Sequence, residues 1–120
     1  MKVSFLSMDD NDNKVSFTTD VIKKDNRYLF NDLSTTNTQI EMEILGNNIR
    51  LVRTGDITMY MLFDSNFQTS GSYKNTEGLS FDFELKTTRL DILSNKIRID
   101  YDMIIENETL SSHKLSLLFN

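Results

Sequence analysis

The chain contains no cysteine, no proline and no tryptophan, and it has a single histidine. Without cysteine, disulfides, thiolate metal sites and thiol catalysis are excluded. Without proline, no strand interior loses an amide donor, so the hydrogen-bond ladders of a sheet can run uninterrupted. Alanine, the best helix former, is also missing, whereas serine, threonine and asparagine each occur twelve times. These absences favour strands and turns over helices.

Positive charge is also scarce, with 13 Lys and Arg against 18 Asp and Glu and a net charge of −5. This balance opposes binding to nucleic acid or to an anionic membrane surface. Asp9 and Asp10 interrupt the N-terminal apolar residues before they reach signal-peptide length, and no window approaches the ~18 apolar residues of a membrane span. We therefore expect a cytoplasmic protein with one domain over residues 1–120.

Apolar residues that alternate with polar ones predict half-buried strands. The clearest run follows Gly78, and a second run follows Asn95. The inward positions of these two runs are Leu79, Phe81, Phe83 and Leu85, then Ile97, Ile99, Tyr101, Met103 and Ile105. The predicted extended segments are 2–8, 14–23, 27–33, 37–45, 48–54, 57–63, 66–73, 78–87, 89–94, 96–106 and 109–119, with some neighbours merging through bends.

Short turn signals separate these segments, so neighbouring strands should be antiparallel. The sequence therefore predicts an all-β fold of about eight to ten antiparallel strands. Strands with one apolar face must hide both that face and their edges, and closure into a barrel does so.

Several motifs resemble a known family over the chain from about residue 45 to the end. They are Ile49–Gly55 with its Arg-x-Gly stretch, Met59, Phe63, Thr69–Tyr73 with its Gly-x-Tyr stretch, Gly78, Thr87-Thr88 and Tyr101-Asp102. In these the chain is similar to the YwiB-like proteins, uncharacterised bacterial β-barrels related in shape to the calycins, the group that includes lipocalins. The resemblance implies a closed or nearly closed antiparallel barrel and no established activity. Where the family tends to carry a Thr-Pro pair before Gly78, this chain has Asn75 and Thr76.

Two polar residues share the parity of inward apolar neighbours. Arg53 lies at the same parity as Ile49 and Leu51, so its side chain should point inward with theirs. It then either pairs with a carboxylate at the barrel rim or binds an anion at the mouth of a cavity. His113 precedes Leu115 on the same parity. It is either a hydrogen-bonded residue at a strand end or a polar contact inside the barrel.

A set of large, deformable side chains points inward as well, and such a set either lines a cavity for apolar ligands or fills a core. Its members are Met59, Met61, Tyr73, Phe81, Phe83, Tyr101 and Met103. Together with Arg53 and His113, they are the predicted ligand-binding residues.

No motif indicates catalysis, a cofactor or a metal. Asp9, Asn11, Asn13 and Asp20 match part of a calcium-loop template, but Lys14 stands where that loop requires glycine. A solvated hairpin tip is the better interpretation. The nucleophile turn, phosphate loop and dinucleotide fingerprint are all missing, so we expect a protein that is not an enzyme.

The sequence thus predicts a barrel that binds a small hydrophobic or amphipathic molecule. The alternative is a fully packed barrel that acts as a protein-interaction module or self-associates as a homodimer. In that case the contact surface would come from the outward apolar residues Tyr60, Leu62, Leu93, Ile104 and Leu118.

Overall fold

The computed structural model describes residues 1–120 and contains ten β-strands and no helix. The strands are β1 (Lys2–Asp9), β2 (Lys14–Lys24), β3 (Arg27–Asn31), β4 (Thr38–Leu45), β5 (Asn48–Gly55), β6 (Ile57–Phe63), β7 (Thr69–Asn75), β8 (Ser80–Ile92), β9 (Lys96–Ile105) and β10 (Glu108–Phe119). Each strand pairs antiparallel with its neighbours in sequence, and β10 pairs with β1 to close the barrel. The all-β barrel prediction is confirmed. The chain has no helix that is long and apolar enough to span a bilayer.

Three strands, β3, β7 and β8, differ from the prediction by more than one residue, each for a local reason. β3 ends at Asn31 instead of residue 33, because the Asp32 carboxylate accepts the amide N–H of Ser34 and turns the chain. β7 begins at Thr69, after a loop in which Asp64 accepts the N–H of Asn66. Segments 78–87 and 89–94 merge into β8, whose register shifts at a bulge between Thr87 and Arg89.

The turns use residues that tolerate left-handed backbone angles or that bind the backbone themselves. Glu106 and Asn107 both have positive φ, at 53° and 65°, which gives the β9–β10 hairpin the twist that two-residue turns favour. Asn75, at the family's Thr-Pro position, accepts the amide N–H groups of Glu77 and Leu79 through its side-chain oxygen. The side chain of Asn75 thereby holds the β7–β8 turn in place without a proline.

The predicted inward parity is confirmed for Phe83, Leu85, Ile97, Ile99 and Tyr101, which are all buried. It is wrong for Leu79, which lies in the turn before β8 and is 54% exposed. Eighteen buried apolar residues form one cluster inside the barrel. The largest fully buried side chains of this cluster are Val3, Ile40, Met42, Ile49, Leu51, Phe63, Leu85, Ile97, Ile99 and Leu117. A barrel of about eight strands is just filled by side chains, so a ring of ten leaves more room inside. The cluster fills the barrel only in part.

Candidate ligand pocket

A pocket of about 350 Å³ lies inside one end of the barrel. This end, called here the pocket end, carries the turns that follow β1, β3, β5, β7 and β9. The lining residues are Ser7, Asp9, Asn13, Val15, Ser34, Thr35, Arg53, Met59, Met61, Tyr101, Met103 and His113. Six of the nine predicted ligand-binding residues are therefore brought together around one space: Arg53, Met59, Met61, Tyr101, Met103 and His113.

The β3–β4 loop, residues 32–37, supplies one wall of the pocket through Ser34 and Thr35. Gly55 lets this loop approach the barrel. A Cβ atom at Gly55 would lie 1.8 Å from the backbone oxygen of Asn37, and Gly55 has a φ of 141°. No other residue would fit there without displacing the loop. The amide N–H of Asp32 donates to the Thr38 carbonyl at 2.9 Å and closes the base of the loop.

Arg53 joins this loop to the barrel wall. Its Nε lies 3.5 Å from Oδ2 of Asp32, whose side chain is fully buried while that of Arg53 is 20% exposed. The other carboxylate oxygen of Asp32 accepts hydrogen bonds from Ser34, through the backbone N–H and the side-chain hydroxyl. A charge-assisted hydrogen bond would measure about 2.7–2.9 Å, so the Arg53–Asp32 contact is an ion pair without a hydrogen bond.

Tyr101 and His113 form the opposite wall. They are cross-strand partners on β9 and β10, and their rings stack with centroids 4.9 Å apart. Burial raises the pKa of Tyr101 to about 12, and the positive charge of Arg53 opposes that rise. Burial also lowers the pKa of His113, against the opposing charges of Asp9, Asp10 and Asp102. The imidazole is therefore neutral at pH 7, with Nε2 placed 2.7 Å from the Ser111 hydroxyl.

Three predicted residues do not line the pocket. Tyr73 stacks on Phe81 at 5.1 Å, and Phe81 packs against Phe83 at 6.1 Å. Gly71 makes room for this group, because a Cβ atom there would lie 2.4 Å from the Phe83 ring. The three rings occupy the β7–β8 side of the interior as packed core, which is the alternative that the sequence left open for them.

Buried polar atoms without a hydrogen-bond partner concentrate at this end of the interior. The structure has three such side-chain atoms: Oδ2 of Asp32, Nε of Arg53 and Oγ1 of Thr87. The first two form the ion pair beside the pocket, and Thr87 is the cross-strand partner of Tyr101. Because an unpartnered buried polar group is costly, such groups call for a specific explanation.

A family model described as "Domain of unknown function (DUF1934)" matches residues 4–117. The chain belongs to the DUF1934 family. Its barrel is similar to the crystal structure of the YwiB protein from Bacillus subtilis, with a TM-score of 0.64 and 17% sequence identity. That match covers 99% of this chain and 89% of that chain, and it shows a shared fold. The resemblance to YwiB-like proteins is confirmed. No curated protein sequence matches this chain.

Several pocket residues of this DUF1934 barrel were not predicted. Ser7 and Asp9 share the parity of Val3 and Phe5 on β1, so alternation alone could have assigned them to the interior. Nothing in the sequence indicates that Ser34 and Thr35 fold over the barrel end, because a loop has no side-chain period. Asp32, the carboxylate partner of Arg53, lies in the same loop, so no side-chain period indicates its position either.

The hairpin tip after β1 also differs from a calcium loop. The Asp9 carboxylate accepts three hydrogen bonds, from the backbone N–H groups of Asn11 and Asn13 and from the Asn13 side chain. These bonds lower the pKa of Asp9, with the Asn13 side chain contributing most. Asp9 therefore shapes the β1–β2 turn, which agrees with the prediction of a hairpin tip.

On the outside of the DUF1934 barrel, two of the predicted outward residues share a groove of about 610 Å³. Tyr60 on β6 and Ile104 on β9 line its sides, and Ser70, Gly71 and Ser72 of β7 lie between them. Leu93 and Leu118 are exposed elsewhere on the surface.

Proposed function

We propose that this DUF1934 protein is a non-catalytic binding protein that holds one small hydrophobic or amphipathic molecule in the pocket end of its barrel. The observation that carries the proposal is the combination of an interior pocket of about 350 Å³ with an inward arginine on its wall, Arg53, whose buried Nε makes no hydrogen bond. Ligand pockets typically measure about 300–1,000 Å³ and join an apolar lining to a few placed polar groups.

The lining supports an adaptable apolar contact. Met59, Met61 and Met103 contribute flexible thioether side chains, which fit ligands of varied shape. Arg53, Tyr101 and His113 add polar groups on the remaining walls. Barrels of the lipocalin type hold one small ligand in a comparable interior, and this likeness of shape is an argument by analogy.

Binding fits the site better than acyl transfer. The Ser111 hydroxyl lies 2.7 Å from Nε2 of His113, which is the spacing of a nucleophile and its base. However, Ser111 does not line the pocket, and the Asp9 carboxylate beside His113 is engaged by Asn11 and Asn13. No carboxylate hydrogen bond orients the imidazole for proton transfer. Hydrolysis of p-nitrophenyl butyrate that disappears in Ser111→Ala would contradict this assignment.

The test is binding of N-phenyl-1-naphthylamine, a neutral apolar fluorophore, to the full chain. We expect saturable enhancement of its fluorescence and a ligand-dependent rise in Tm. Met59→Trp should fill the pocket and abolish both effects. The matched control is Leu118→Trp, which places the same ring on the outer face of β10, where the side chain is 41% exposed. Equal binding by both variants, or no saturable binding by the native chain, would refute the proposal.

Native mass spectrometry of protein purified from its own cells adds a second readout. A retained small molecule that Met59→Trp lacks would support the proposal. The alternative, an interaction module, predicts a stable oligomer in the same spectrum. A Tyr60→Asp substitution in the outer groove should then dissociate that oligomer without unfolding the barrel.

A further inference from the structure

We infer that the molecule bound in the pocket carries a carboxylate, received by the Arg53 guanidinium and the Tyr101 hydroxyl, with its apolar portion along the three methionines. This inference rests on the proposed function, because it names the chemical class of ligand for the same pocket.

Arg53 differs from the other four arginines of the chain. Three of the others donate a hydrogen bond to a carboxylate, Arg27 and Arg50 to Glu43 and Arg89 to Asp91. The fourth, Arg98, has two nitrogens within 3.5 Å of the Asp100 carboxylate. Arg53 donates none, although its side chain is only 20% exposed. A guanidinium has five N–H donors in a planar fork, and that fork matches a carboxylate in bidentate fashion. Arg53 is therefore the arginine that combines a place on the pocket wall with donors that make no hydrogen bond within the protein.

The Tyr101 hydroxyl is a second donor on the same space. Tyr101 is 7% exposed and lines the pocket, and its ring stacks on His113 of β10 and packs against Phe63 of β6. Its phenol makes no hydrogen bond within the protein and lies near enough to Arg53 to feel its charge. The hydroxyl oxygen is not among the fully buried atoms that lack a partner, so it is accessible and free to donate to a bound molecule. A ligand oxygen placed between Arg53 and Tyr101 would supply a partner to both.

The surroundings of the pocket are acidic through Asp9, Asp10, Asp32 and Asp102, so the preference for an anionic head group comes from the unused donors of Arg53 and not from net charge. Asp32 faces the Nε side of Arg53 at 3.5 Å, which leaves the terminal nitrogens for another acceptor. Asp9, the carboxylate that lines the pocket, already accepts three hydrogen bonds from its own hairpin. A ligand ammonium placed beside Arg53 would face a guanidinium that has only donors. A neutral hydroxyl would satisfy only part of the guanidinium fork.

The pocket volume limits the size of the ligand. At about 30 Å³ for each water molecule, 350 Å³ corresponds to the space of roughly a dozen waters, and because bonded atoms lie closer together than waters it can hold a molecule of roughly 12 to 18 non-hydrogen atoms, the fluorophore included. Decanoate, with about a dozen non-hydrogen atoms, is therefore a suitable probe, and decanol and decylamine differ from it essentially in the head group.

The experiment measures displacement of N-phenyl-1-naphthylamine by decanoate, decanol, decylamine and acetate. We expect decanoate to displace the fluorophore at a concentration roughly ten-fold lower than either decanol or decylamine, since a bidentate ionic contact is worth at least that factor. Acetate, which lacks the apolar portion, should not displace it in the same concentration range. Equal displacement by decanoate, decanol and decylamine, preference for the amine, or displacement by acetate would overturn the inference.

The variant that tests the anchor is Asp32→Asn combined with Arg53→Gln. It removes both charges together, so that no unpaired charge is left inside the barrel. Circular dichroism and the affinity of the variant for the fluorophore check that the barrel and the β3–β4 loop keep their structure. The preference for decanoate over decanol should fall toward one, while the fluorophore still binds. The matched control is Asp91→Asn with Arg89→Gln, the same change in an exposed ion pair, which should keep the preference. If the preference survives in the first variant, Arg53 is not the anchor.

The two proposals fail in different ways. If the fluorophore does not bind the native chain at all, the pocket is not a binding site and the proposed function is refuted. If it binds and all three ten-carbon probes displace it alike, the proposed function stands and only the carboxylate inference is refuted.

Discussion

Gly71→Ala should destabilise the barrel strongly, because the added methyl group has no space. Gly71 lies inward on β7 between its cross-strand partners Met61 and Phe83. A Cβ atom there would lie 2.4 Å from the Phe83 ring and 2.8 Å from the backbone oxygen of Tyr60. The ring can rotate, but the carbonyl cannot move without distorting the β6–β7 ladder. Overpacking costs about 1–3 kcal/mol, and the fixed carbonyl places this case at about 2–3 kcal/mol.

For a chain of 120 residues this loss corresponds to a fall in Tm of about 6–15 °C, at roughly 3–5 °C for each kcal/mol. The assay is urea unfolding followed by circular dichroism, with Ser72→Ala as an exposed neighbour on the same strand. A double-mutant cycle assigns the cause. In a Phe83→Leu background the penalty of Gly71→Ala should be smaller by about 1 kcal/mol, because only the Tyr60 carbonyl still obstructs the methyl group. A penalty below about 0.5 kcal/mol, or one that is equal in both backgrounds, would refute this packing argument.

Two further predictions concern pH and turn geometry. In the unfolded chain, His113 has the ordinary histidine pKa of about 6.5, whereas folding lowers the pKa of its imidazole. As the pH falls below about 6.5, the unfolded chain therefore binds a proton at His113 more readily than the folded chain does. The free energy of unfolding should therefore decrease as the pH falls from 7 toward the lowered pKa, and it should decrease less steeply in His113→Gln. NMR titration of this single histidine measures its pKa directly. A pKa above 6.5 would contradict the argument that burial lowers it. Replacing Glu106-Asn107 by Asn-Gly should stabilise the chain by about 1 kcal/mol, because both positions have positive φ. Thermal unfolding checks the second prediction, and an unchanged or lower Tm would count against it.

The barrel was predictable because alternation fixes which face of a strand is apolar. Phe83, Leu85, Ile97 and Ile99 share one parity and are buried, and the short turns between runs leave antiparallel neighbours as the natural arrangement. Closure through β1 and β10 follows from the need to pair every edge. What alternation cannot give is register or bulges, which is why the segments on either side of Thr88 proved to be one strand.

The pocket was predictable only in part, because parity identifies inward residues without saying which of them touch. Met59 and Tyr73 are cross-strand partners with the same inward parity, yet only Met59 lines the pocket. The difference arises from Gly71, whose missing side chain lets Phe83, Phe81 and Tyr73 pack together on one side. Such a division depends on three-dimensional volume, and no single-strand pattern contains it.

The Arg-x-Gly stretch that helped to suggest the family has a physical role in this barrel. Arg53 holds the β3–β4 loop through Asp32, and Gly55 leaves space for the backbone of that loop at Asn37. Two residues on one strand thus fix the same segment, one by charge and the other by the absence of a side chain. Because this segment forms a wall of the pocket, the proposed binding of a carboxylate would give Arg53 two functions at different edges of one guanidinium. Its Nε side positions the loop, and its terminal nitrogens remain available to a bound carboxylate.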